Sequence, residues 1–72
     1  MVTTYWWVID NESDPLCGEE FFTELQLDPT LSKTEMRYAH NIYVHKLFPY
    51  SDPRCLGRIT EEEAEMMGLD TY

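Results

Sequence analysis

Four side chains in the sequence have the types of a zinc site: Cys17, His40, His45 and Cys55. Zinc takes thiolate and imidazole ligands in a tetrahedron, and proteins usually supply them in close pairs such as C-x2-C. Here the histidines stand five residues apart, which on a helix places them about 140° from one another around the axis. Two such rings cannot readily face one ion, and both imidazoles are expected at the surface or partly packed. Cys17 and Cys55 are expected as small, partly buried thiols of a reducing compartment, paired with each other only if the chain is exported. Glu35, Asp52 or Glu63 could act with a histidine as acid and base, but that role needs a concave pocket, and 72 residues enclose little volume for one. The sequence has no Gly-rich phosphate loop, nucleophile elbow or EF-hand loop. The expectation is therefore a protein without metal or cofactor, and not an enzyme.

Carboxylates are the more prominent chemistry. Fourteen acids against five bases leave a formal charge of −9. Seven acids and no base precede Pro29 (Asp10, Glu12, Asp14, Glu19, Glu20, Glu24, Asp28), and five acids stand alone after Arg58 (Glu61, Glu62, Glu63, Glu65, Asp70). All five bases, Lys33, Arg37, Lys46, Arg54 and Arg58, fall between, with only Glu35 and Asp52 beside them. Some charges can pair within the fold, but most acids lack a basic neighbour. Excess charge of this kind governs association and solubility, not fold.

The elements that must hold these groups have readable boundaries. Ser32 with Glu35, three residues on, makes a capping box, and Pro49 cannot continue a helix, so a central helix is predicted over about 33–48. Met36, Ala39, Tyr43 and Leu47 recur at helical steps as its apolar face, with Tyr38 and Ile42 widening the stripe. Residues 2–10 read as a β-strand, with Thr3, Tyr5, Trp7 and Ile9 on one side and Thr4, Trp6, Val8 and Asp10 on the other. Both sides carry a tryptophan, so both need covering. The strand needs a hydrogen-bonding neighbour. Residues 20–27, which could also form a helix, and residues 54–59 are the two candidates. Residues 11–18 form a turn-rich loop, and residues 28–30 the turn into the helix. Thr60 with Glu63 makes a second capping box, Ile59 and Ala64 are placed as a hydrophobic staple, and Gly68–Leu69 suits a Schellman stop, which predicts a short helix over about 61–67. The result is a single small α+β domain, a short antiparallel sheet packed on a central helix. Its core is small, and a strand apolar on both faces makes a homodimer a reasonable expectation.

The tail from Arg58 to Tyr72, RITEEEAEMMGLDTY, resembles the opening helix of a helix-turn-helix over about fifteen residues. No recognition helix follows it in the chain, and a surface at −9 repels phosphate, so direct nucleic-acid binding is not expected. A rigid domain rich in carboxylates can instead occupy the cationic groove of a nucleic-acid-binding protein, because such a groove neutralises spaced negative charges whatever their chemistry. In general character the chain is similar to the small acidic inhibitors that viruses and mobile elements use against host DNA-binding or defence proteins. The expected contact residues are Asp10, Glu12, Asp14, Glu19, Glu20 and Glu24 in the head and Glu61, Glu62, Glu63 and Glu65 in the tail. The competing expectation is a structural or adaptor subunit that binds a protein through Tyr5, Trp6, Trp7, Tyr38 and Tyr43. The first residues lack the basic and apolar regions of a signal peptide, and no stretch is long enough for a membrane span, which points to the cytoplasm.

Overall fold

The structure, a computed structural model, describes residues 1–10 and 19–71; the expected loop over 11–18 lies outside them. β1 (Val2–Asp10) forms because β-branched and aromatic residues alternate along it. It is a central strand. β2 (Glu19–Leu27) pairs antiparallel along its whole length on one side, and β3 (Pro53–Ile59) pairs antiparallel on the other. Both candidate partners are thus neighbours of β1. Residues 20–27 take the strand alternative, each of them in register with a residue of β1. A strand of two residues, β4 (Asp70–Thr71), adds parallel to β2 and gives the order β3-β1-β2-β4. Nothing in the sequence pattern announced β4, because two residues carry no periodicity.

The helix α1 (Lys33–Leu47) begins at Ser32, whose hydroxyl accepts from Glu35 N at 3.2 Å while the Glu35 carboxylate accepts from Ser32 N at 3.3 Å. It stops at Phe48, whose N–H still reaches Val44 O, immediately before Pro49. A tight turn feeds it: the Asp28 carboxylate accepts from both Thr30 N (2.9 Å) and Thr30 Oγ1 (2.8 Å), which holds its pKa below the usual value.

The buried side of α1 shares only Met36 with the expected stripe. Met36, His40 and Val44, spaced four apart, face the sheet. Tyr38, Ile42 and Leu47 are 66%, 41% and 42% exposed, and Ala39 and Tyr43 are half-buried. Counting apolar types skips His40, and without it Val44 does not join Met36 in a repeat, so the reading rotated the helix away from its true inner face. Against that face lie Thr4, Trp6, Val8 and Asp10 of β1, all buried, with Phe21 and Thr23 of β2 and Cys55 of β3. Full burial of side chains such as Val8, Phe21 and Val44 stabilises by about 1.5–3 kcal/mol each.

The short helix α2 (Glu61–Met67) matches its sequence signals closely. Thr60 Oγ1 and the Glu63 carboxylate exchange capping bonds at 3.1 Å each. Gly68, at φ 67°, sends its N–H to Glu65 O, and Leu69 N reaches back to Ala64 O at 3.1 Å, the Schellman pattern. Ile59 and Ala64, the two staple positions, are both buried.

The pairing of β1 with β3 shifts register between Trp7 and Val8: Trp7 opposes Gly57 and Val8 opposes Cys55, leaving Leu56 as an extra residue at a bulge. Gly57 does not have a positive φ, and a Cβ there would meet nothing within 4 Å. Gly57→Ala is therefore expected to leave stability unchanged or raise it by about 0.5 kcal/mol. Gly68→Ala should cost about 1–2 kcal/mol, because its left-handed backbone strains any Cβ. Urea denaturation of both variants checks this, and the opposite order would contradict the assigned backbone.

Candidate functional site

The strand order sorts charge. Arg54 and Arg58 lie on β3 at one edge of the sheet, while Glu19, Glu20 and Glu24 lie on β2 and Asp70 on β4 at the other. Lys33, Arg37 and Lys46 ride on α1. The middle strand β1 keeps the two sets apart. An ion pair at 3.9 Å joins Arg54 to Asp52, both well exposed, a geometry that contributes little in water. Glu20, Glu61, Glu62, Glu65 and Asp70 have no base within ion-pairing distance among the described residues.

On the face of the sheet away from α1, acids from the two ends of the chain converge. Glu24 of β2 and Glu61 and Glu65 of α2 line a hollow of about 250 Å³ with Tyr5, Phe22, Leu69 and Thr71. The rings of Tyr5 and Phe22 meet edge to face, with centroids 5.9 Å apart. Partial burial raises the Tyr5 pKa above its ordinary 10.0; its hydrogen bond to Glu24 and the negative charges of Glu61 and Glu24 raise it further. The Schellman stop positions this corner, because it turns the chain after α2 back to pair with β2. An adjoining hollow of about 680 Å³ includes Tyr5, Glu61 and Glu63 but also Lys33 and Arg58, and so marks where the acidic side gives way to the basic one.

Of the expected contact residues, Glu19, Glu20, Glu24, Glu61, Glu62, Glu63 and Glu65 are exposed. Asp10 is 5% exposed, on the side of β1 that α1 covers, so it is not at the surface. Glu12 and Asp14 lie outside the described residues. Among the expected aromatic anchors, Trp6 is 1% exposed and belongs to the core. Tyr5, Trp7 and Tyr43 are half-buried, and Tyr38 is exposed. The strand alternation already separated Trp6 from Trp7, but which side the helix takes is a tertiary matter.

The expected fate of the histidines holds for one of them. His45 is exposed, and its Nδ1–H donates to Asn41 O at 2.8 Å. It shares a groove of about 440 Å³ between α1 and β3 with Arg37, Tyr38, Asp52 and Arg54. His40 is completely buried, contrary to the surface or partly packed position expected. Its Nε2 lies 2.8 Å from Thr4 Oγ1 and its Nδ1 2.6 Å from Thr23 Oγ1, with the Trp6 ring 5.3 Å away. No group of three or more His, Cys, Asp or Glu among the described residues could hold a metal ion. Cys55 carries a free, buried thiol whose pKa burial raises against the opposing pull of Arg37; Cys17 lies outside the described residues. No described helix is long and apolar enough to cross a membrane. Comparison of the chain with protein-family models, curated proteins and solved structures found no match.

The Tyr5 corner can be examined directly. In an ultraviolet titration of tyrosinate absorbance, Glu24→Gln should move the ionisation of Tyr5 back toward 10.0, and Tyr5→Phe should delete that late step. A curve that Glu24→Gln leaves unchanged, or a step lost in Tyr5→Phe at the ordinary 10.0 instead of above it, would show that Tyr5 does not sit in the field of these carboxylates.

Proposed function

We propose that this chain is a non-enzymatic, cytoplasmic binding protein that occupies the cationic groove of a nucleic-acid-binding protein, an inhibitor or modulator of viral or mobile-element type acting by DNA mimicry. The observation that carries the reading is the convergence of Glu24, Glu61 and Glu65, from opposite ends of the sequence, on one corner beside Glu62 and Glu63. These carboxylates are held by a paired strand and a doubly capped helix. A groove built to neutralise phosphates gains from rigidly spaced anions, since their ordering cost is already met by the fold.

The test is capture of partners from a cell lysate at two salt concentrations, followed by displacement with duplex DNA. Binding through carboxylates should weaken steeply as salt rises, and duplex DNA should compete. A variant with Glu24, Glu61 and Glu65 all changed to Lys should lose at least tenfold in affinity, the equivalent of about 1.4 kcal/mol. Glu63 is left in place because it caps α2. A partner that binds equally well to this variant and at high salt would refute the proposal.

A second reading is favoured by the outer side of α1, where Tyr38 and Ile42 stand 66% and 41% exposed. An adaptor that used them would bind with little sensitivity to salt and would be weakened by Tyr38→Ala while tolerating the glutamate reversals.

A further inference from the structure

His40 is a buried titratable group that plays no part in the acidic corner. It connects three elements, for its ring lies on α1 and its two nitrogens meet Thr4 of β1 and Thr23 of β2. The hydrogen positions follow from counting protons. Thr4 Oγ1 has one proton and donates it to Leu25 O at 2.9 Å, so toward the ring it can only accept. Nε2 must then carry the ring proton, and Nδ1 is bare. Thr23 Oγ1 donates its own proton to that bare nitrogen. In the neutral Nε2–H form each donor of the Thr23–His40–Thr4 chain has an acceptor.

We propose that this arrangement is a proton-operated latch: a proton added at His40 Nδ1 breaks the Thr23–His40–Thr4 chain, frees α1 from the sheet and opens the fold under mild acid. Once Nδ1 bears a proton, Thr23 Oγ1 has to accept instead of donate. Among the described residues it makes no other hydrogen bond, so its hydroxyl proton is left unpaired inside the core. The cation itself has no counter-charge at hand among the described residues. From β3, Arg58 bears on the ring with a like charge, and the Cys55 thiol is uncharged. β1 presents Thr4 and the Trp6 ring, with Asp10 six residues beyond Thr4, roughly 20 Å along the strand. β2 presents Thr23 and Phe21, and its Glu20 and Glu24 point to the other face. On α1 itself, Met36 and Val44 flank the ring one turn away on either side, and Arg37 reaches instead to Cys55 O at 3.1 Å.

Burial first, and then Arg58, hold the His40 pKa down at about 4, against an ordinary 6.5. The unfolded chain takes up a proton below 6.5 that the folded chain refuses until about 4, so stability is complete above that window and is lost as pH falls through it. Across the window the folding constant should drop on the order of 300-fold, tenfold for each unit. A domain of this size has a folding constant of roughly 10²–10⁴, so the drop is enough to populate the open form.

The experiment follows urea unfolding of the wild-type chain and of His40→Gln between pH 7.5 and 4.5, with nitrogen-15 NMR of the wild-type imidazoles over the same range. The latch predicts a neutral Nε2–H tautomer at His40 for as long as folded signals persist. It also predicts that the folding constant falls with pH more steeply in the wild type than in the glutamine variant. If His40→Gln does not fold, the NMR arm decides alone. A His40 that titrates near 6.5 within an intact folded spectrum overturns the proposal, as does the opposite tautomer or a pH dependence that the variant retains in full.

Discussion

One imidazole held between two threonines sets the geometry of this domain. Apolar contacts between α1 and the sheet are non-directional, and they would tolerate small rotations or slides of the helix. The His40 bonds would not, because both ring nitrogens must meet hydroxyls on two different strands at 2.8 and 2.6 Å. That requirement fixes which side of α1 faces inward and how far along β1 it sits. Met36 and Val44 then take their core positions one turn to either side. Next to Met36, Arg58 Nη1 comes to 3.7 Å from its sulfur, and Arg37 reaches the carbonyl of Cys55 on the edge strand. A buried polar group is costly unless satisfied, and when satisfied it discriminates among packings that hydrophobic burial alone would leave close in energy.

The second organising constraint is the place of β1 at the centre of the sheet. Its neighbours come from opposite sides of the sequence, β2 directly after it and β3 after the helix, and this order separates the charges. The basic middle of the chain supplies α1 and β3, while the acidic head and tail supply β2, α2 and β4. Carboxylates more than thirty residues apart, such as Glu24 and Glu61, come together beside Tyr5. With so few bases near them, these acids repel one another, and the strong caps and the Schellman stop of α2 keep the corner together against that repulsion.

Local signals in the chain specified local structure well. Both capping boxes, the proline stop, the glycine at the end of α2 and the alternation of β1 each depend on atoms within a few residues of one another, and each appears where its sequence pattern put it. Hydrogen bonds between a hydroxyl and an N–H three residues on need no tertiary partner, so they are legible without one. The acidic character of the head and tail was equally plain, since net charge is a property of composition.

What the tertiary structure alone decided was which side of each element is inside and which distant residues meet. The periodicity of α1 passed over His40 because an imidazole is scored as polar until two threonines from other strands satisfy it. Asp10 looked like a surface acid until the helix covered its side of β1, and β4 was too short to have a pattern at all. The sequence by itself determined where the helices start and stop and how much negative charge the chain carries. Pairing across the sheet determined that Glu24, Glu61 and Glu65 share a corner, because contacts between residues far apart in the chain depend on packing free energy summed over the whole domain, not on any one segment.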